Sequence, residues 1–126
     1  MTETDSLYQR AGGADFFEAL VARFYAGVAS DPILRMVYPE GDLEAAERRL
    51  RLFLIQYWGG PSTYSDERGH PRLRMRHAPF SIGPVDRDRW LAHMRAAIGQ
   101  SAAPRDVADE LERYIAMAAE AMRNRD

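Results

Sequence analysis

The chain contains no cysteine. That removes disulfides, iron–sulfur clusters, zinc–thiolate sites and thiol catalysis together. Lysine is absent too: all 17 basic residues are arginine, so no Schiff-base amine exists. Long apolar runs are missing. The longest uncharged one, around Leu52–Ile55, falls far short of the ~20 residues of a membrane-spanning helix. The N-terminus is polar and acidic (Thr2, Glu3, Asp5) and shows no signal-peptide pattern, so a soluble, cytoplasmic protein is expected. A net charge of −2 argues against a protein that works by neutralising nucleic-acid phosphates. With 126 residues, one domain over 1–126 is expected, large enough to bury a core without covalent staples.

What is present is helical periodicity. From Ala14 to Ala29, Phe17, Leu20, Val21, Phe24, Tyr25 and Val28 recur at i, i+3, i+4, i+7 spacing. Ser30-Asp31-Pro32 stops that helix and caps a short one over Ile33 to Tyr38, closed by Pro39. Asp42 is the next N-cap candidate, ahead of a stripe of Leu43, Ala46, Leu50, Phe53, Leu54 and Tyr57 that Gly59-Gly60-Pro61 ends. Residues 60–83, which hold Pro61, Gly69, Pro71, Pro79 and Gly83, carry no period and predict a long loop of the kind that often bears function. Asp86 opens a helix with Trp90, Leu91, Met94, Ala97 and Ile98. Val107, Leu111, Tyr114, Ile115, Ala118 and Met122 stripe the last one. No segment alternates with period two. The expectation is an all-α domain of about five helices, and the charged tail after Met122 carries no signal.

Several chemistries lack their residues. There is no phosphate-binding G-x-x-x-x-G-K-[ST] and no G-x-G-x-x-G, and no G-x-S-x-G elbow for a serine hydrolase. One E-x-x-H, Glu67 to His70, lies in the loop, whereas a di-iron bundle needs two on helices plus two more carboxylates. Three histidines remain: His70 and His77 in the loop and His93 on a helix. His77 closes the arginine-rich turn between Pro71 and Pro79, which reads either as a solvated basic loop or as the surroundings of a metal-bearing, anionic ligand. Tyr25, Tyr38 and Trp90 fall on or beside apolar faces. Each alone reads as a core aromatic, and together they read as donors converging on a buried polar ligand.

Five blocks then make the pattern specific. They are Leu7-Tyr8 with Gly12-Gly13; Arg23-Phe24-Tyr25-Ala26; Leu34 through Pro39; Phe53-Leu54-Ile55-Gln56-Tyr57-Trp58-Gly59-Gly60-Pro61-Ser62-Thr63-Tyr64; and Arg68-Gly69-His70-Pro71-Arg72-Leu73-Arg74-Met75-Arg76-His77-Ala78-Pro79-Phe80. With them the sequence resembles the group II truncated haemoglobins, the two-over-two globins, over about residues 7 to 122. The resemblance implies haem b, held without covalent attachment between antiparallel helix pairs at about 14–29 with 43–58 and 86–99 with 104–122. It implies His77 as the iron ligand and Tyr25, Tyr38 and Trp90 as distal donors. Ala46, where many globins place a histidine or glutamine, would face the distal side with Leu50, and Phe53 and Phe80 would line the pocket. Arg49, Tyr64, Arg74 and Arg76 are candidates for the haem propionates.

The function that resemblance implies is binding of dioxygen and other diatomic gases (nitric oxide, carbon monoxide) with slow release. Slow release suits oxidation of nitric oxide more than bulk oxygen transport, with an external reductase, since no reductase domain is expected in cis. A peroxidase acting on peroxide and a redox or gas sensor are the alternatives within that class. Outside it stands a haem-free helical interaction module, which would tolerate loss of His77. Whether the chain forms a homo-oligomer is not legible in the sequence.

Overall fold

The computed structural model describes residues 6–38 and 43–125. Eight helices lie among them, and no strand does. They are α1 Leu7–Ala11, α2 Ala14–Ala29, α3 Pro32–Arg35, α4 Leu43–Tyr57, α5 Thr63–Arg68, α6 Leu73–His77, α7 Pro84–Gly99 and α8 Arg105–Met122. The long helices pack in the order α4–α2–α7–α8, so α2 with α4 and α7 with α8 form two pairs joined through α2 and α7. This is the two-over-two arrangement.

The centre of that arrangement is α2. Its stripe Phe17, Leu20, Val21, Phe24 and Val28 is withdrawn from water almost completely. Each such side chain contributes roughly 1.5–3 kcal/mol by burial. Leu34, Met94, Val107 and Leu111 close the same core from α3, α7 and α8. Two local devices aim the helices. The Asp31 carboxylate accepts the amides of Ile33 and Leu34, capping α3 at 3.0 and 3.3 Å. The same carboxylate, only 3% exposed, binds Arg89 at 2.9–3.0 Å and His93 at 2.8 Å, which ties α3 to α7. Gly27 makes room for this clamp. A Cβ there would lie 2.4 Å from His93 Nδ1.

Several sequence expectations change. The predicted loop over 60–83 carries two short helices, α5 and α6, so the count rises from about five to eight. Helix α5 is pinned by the bidentate Arg48–Glu67 pair and by Gln56, which bonds Ser65 twice. The short helix after Asp31 ends at Arg35 rather than Tyr38. Helix α7 starts at Pro84, with Asp86 in its first turn accepting the Gly83 amide at 2.9 Å. The proposed cap at Asp42 lies outside the described residues.

The tail after Met122 does carry information. Asn124 accepts the Ile82 amide on Oδ1 at 2.8 Å and donates from Nδ2 to the Phe80 carbonyl at 2.6 Å and the His77 carbonyl at 3.4 Å. Its own amide donates to the Ile82 carbonyl. The C-terminus therefore staples the segment that follows α6. No helix among the described residues is long and apolar enough to cross a membrane.

Candidate functional site

Between the two helix pairs lies a cavity of about 500 Å³. That is within the usual range for a bound small molecule or cofactor. Helices α2 to α8 all contribute to its wall. Of the residues singled out in the sequence, Tyr25, Tyr38, Ala46, Arg49, Leu50, Phe53, Tyr64, Arg76, His77, Phe80 and Trp90 line it. Arg74 does not: it is exposed on the outer side of α6. Arg68, Leu73, Arg87 and Tyr114 line the cavity without having been selected.

One end of the cavity gathers polar tips on apolar bodies. The Tyr25 and Tyr38 rings meet edge-on with centroids 5.7 Å apart. Phe24, fully buried, contacts Tyr25 at 4.9 Å and Trp90 at 5.1 Å and so sets the spacing of both. Burial is the main cause that pushes the Tyr25 phenol far above its ordinary value, and the Tyr38 hydroxyl adds to it. Burial also raises Tyr38, with Tyr25, Trp90 and Arg49 acting in the opposite direction. Both phenols therefore keep their protons and stay hydrogen-bond donors throughout the working pH range. The positive charge of Arg49 acts on both, placing that residue close to the tyrosine pair.

His77 stands on α6. Its Nδ1 lies 2.7 Å from the Leu73 carbonyl one turn earlier, and a carbonyl oxygen only accepts, so Nδ1 carries the proton. Nε2 then holds a lone pair, and no described residue bonds it. A backbone acceptor fixing one ring nitrogen while the other is left to coordinate is the usual arrangement of a metal-binding histidine. No group of three or more His, Asp or Glu side chains able to hold a bare metal ion occurs among the described residues. Any metal held by His77 must bring its remaining ligands with it, as a macrocycle does. Apolar walls, one imidazole with an available lone pair and arginines at the rim fit the expected haem.

The arginines are not equivalent. Arg76 donates from Nε to the Pro71 carbonyl at 2.6 Å and from Nη2 to the carbonyls of Arg68 and His70. It therefore organises the α5–α6 turn, with Nη1 left over. The guanidinium groups of Arg68 and Arg76 both lie about 6 Å from the centre of the Tyr64 ring. Arg68 replaces Arg74 as the rim cation of that segment. Its place in the quoted block was a signal, but the unrecognised helix α5 hid which way it points. Of the other histidines, His70 is exposed, and Glu67 is committed to Arg48. His93 belongs to the Asp31 clamp. Tyr114 was legible as part of the α8 stripe but not as a cavity residue. Burial, with neighbouring Tyr57, pushes its phenol up to about 12.

The family model for bacterial-like globins matches residues 6–124. The group 2 truncated hemoglobin YjbI of Bacillus subtilis is 44% identical over 86 residues, covering 68% of this chain and 64% of that protein. The chain thus spans somewhat less than two thirds of that relative's length. Among solved structures, the hemoglobin of Thermobifida fusca is 57% identical with a TM-score of 0.93 over 95% of this chain and 98% of that one. The hemoglobin of Chloroflexus aurantiacus is 51% identical with a TM-score of 0.94, covering 97% of this chain and 100% of that one.

Proposed function

The chain belongs to the bacterial-like globins, in their group II two-over-two branch, and from that membership we propose that it is a haem b protein that binds dioxygen and nitric oxide and converts them. The observation that carries the proposal is the His77 ring, with Nδ1 fixed on Leu73 and Nε2 available in the same cavity that Tyr25, Tyr38 and Trp90 line. Haem, when bound there, supplies an iron centre for diatomic gases and for their one-electron chemistry.

The chain's own residues do the rest. His77 would hold the haem iron through Nε2, and Tyr25, Tyr38 and Trp90 would present O–H and N–H donors to a polar diatomic guest in the same cavity. The two phenols keep their protons, so their donation persists across the pH range. Each donor adds ~1 kcal/mol net, about a fivefold slower release, and a connected set adds more. A guest held that long meets a second reactant before it leaves. Nitric oxide, dioxygen and one electron balance to nitrate, and a separate reductase supplies that electron.

Trp90→Phe tests this reading. It keeps the Phe24 contact and removes one donor, and it should speed oxygen release about fivefold. An unchanged rate removes Trp90 from the mechanism. A peroxidase reading is the second. His77 is the one histidine lining the cavity, so no imidazole base stands opposite it and peroxide turnover would be slow. What favours this reading is the supply of oxidisable phenols in the wall.

A further inference from the structure

Tyr57 is the most exposed aromatic residue described, at 49%, at the end of α4. It is stacked on Tyr114 of α8, with ring centroids 4.3 Å apart and planes 29° from parallel. Tyr114 lines the cavity. A second aromatic path leaves the cavity from buried Tyr64 through Phe53, with centroids at 5.7 and 5.9 Å, and also ends on Tyr57. Trp58 stands edge-on to both tyrosines at 4.9 and 5.6 Å. Its indole Nε1 is buried with no hydrogen-bond partner, so an oxidised Trp58 has nowhere to send a proton. The Tyr25–Phe24–Trp90 cluster connects to no exposed ring among the described residues. Both routes that reach the surface therefore converge on one phenol that stands in water.

We infer that Tyr57 and Tyr114 form a redox exit from the cavity, through which a small reductant of the phenol class is oxidised at the surface without entering. The inference rests on the haem reading above and names its peroxide-driven branch. Hydrogen peroxide takes two electrons and two protons to become two waters. Each electron leaves Tyr114 for the cavity, and Tyr57 restores Tyr114 through the stacked rings. Tyr57 gives its proton to water and becomes a neutral phenoxyl. A phenolic reductant then returns one electron and one proton, so one peroxide oxidises two phenols to phenoxyl radicals.

The test uses haem-reconstituted protein whose Soret band has been verified, treated with hydrogen peroxide. Wild type should show a tyrosyl radical by electron paramagnetic resonance and covalent dimers with dityrosine fluorescence, mapped to Tyr57. Tyr57→Phe keeps the stack and the packing, so the Soret band and melting temperature should stay unchanged while the dimer is lost. Tyr114→Phe should leave Tyr57 in place yet lower its radical yield, the remainder arriving through Tyr64 and Phe53. Oxidation of a phenolic dye too bulky for the cavity should fall in both. An equal yield of Tyr57-linked dimer in Tyr114→Phe, or a normal Soret band with no radical at Tyr57 in wild type, overturns the exit. A chain that takes up no haem shows no Soret band and overturns the function reading itself.

Discussion

Replacing Asn124 with alanine should loosen the segment that follows His77, although Asn124 itself is exposed and close to the C-terminus. Its side chain bonds Ile82 N at 2.8 Å and the Phe80 carbonyl at 2.6 Å, with a longer contact to the His77 carbonyl. Alanine leaves the amide of buried Ile82 without its acceptor. An unsatisfied buried donor costs about 1–3 kcal/mol. Water can approach from the exposed side of Asn124, so the lower half of that range, about 1–2 kcal/mol, is expected. The backbone bonds from Asn124 and Arg125 to the Ile82 carbonyl survive the substitution. The assays are urea unfolding and hydrogen exchange. Stability should drop by that amount, and the Ile82 amide should lose protection while amides in the middle of α2 keep theirs. Unchanged stability with an unchanged exchange rate at Ile82 would refute the reasoning.

Two further outcomes test the α3–α7 clamp. Gly27→Ala would ordinarily stabilise a helix interior by up to ~1 kcal/mol, but its Cβ meets the His93 ring at 2.4 Å while Asp31 holds that ring. The clash should win, costing about 1–3 kcal/mol in thermal unfolding, and adding His93→Ala should recover part of the loss. Burial tends to raise the Asp31 carboxyl, but His93, Arg89 and the Leu34 and Ile33 amides outweigh it and hold the group at about 2, against an ordinary 3.8. A depressed folded value means the contribution is complete above about pH 4 and disappears as pH falls through 2. It amounts to about 1–2 kcal/mol once the partial exposure of Arg89 and His93 is allowed for. Asp31→Asn should flatten the acid-unfolding curve in that window, and an identical curve would count against the clamp.

The long helices were readable because each buries one stripe, and a stripe repeats often enough over four turns to show its period. The α2 boundaries at Ala14 and Ala29 matched the sequence reading for that reason. Helices α5 and α6 were not readable, since six and five residues are too few for a period. What holds them is non-local: Arg48 with Glu67, Gln56 with Ser65, and Arg76 on three carbonyls. The Asn124 staple reaches back 42 to 47 residues, and nothing in the local composition announces it. Missing the short helices also cost the choice between arginines, because helical geometry decides that Arg68 and Arg76 line the cavity and Arg74 does not. The donors on long helices, Tyr25 and Trp90, were legible because a helix face fixes their direction.

The most direct measurement is an absorption spectrum of the protein purified with haem available, taken ferric, then reduced, then exposed to oxygen, beside His77→Ala. The wild type should show a Soret band that shifts on reduction and again with oxygen, and the variant should lose or displace it. A folded, helical wild-type protein that stays colourless with added haem, or a variant with an unaltered spectrum, would contradict the haem reading.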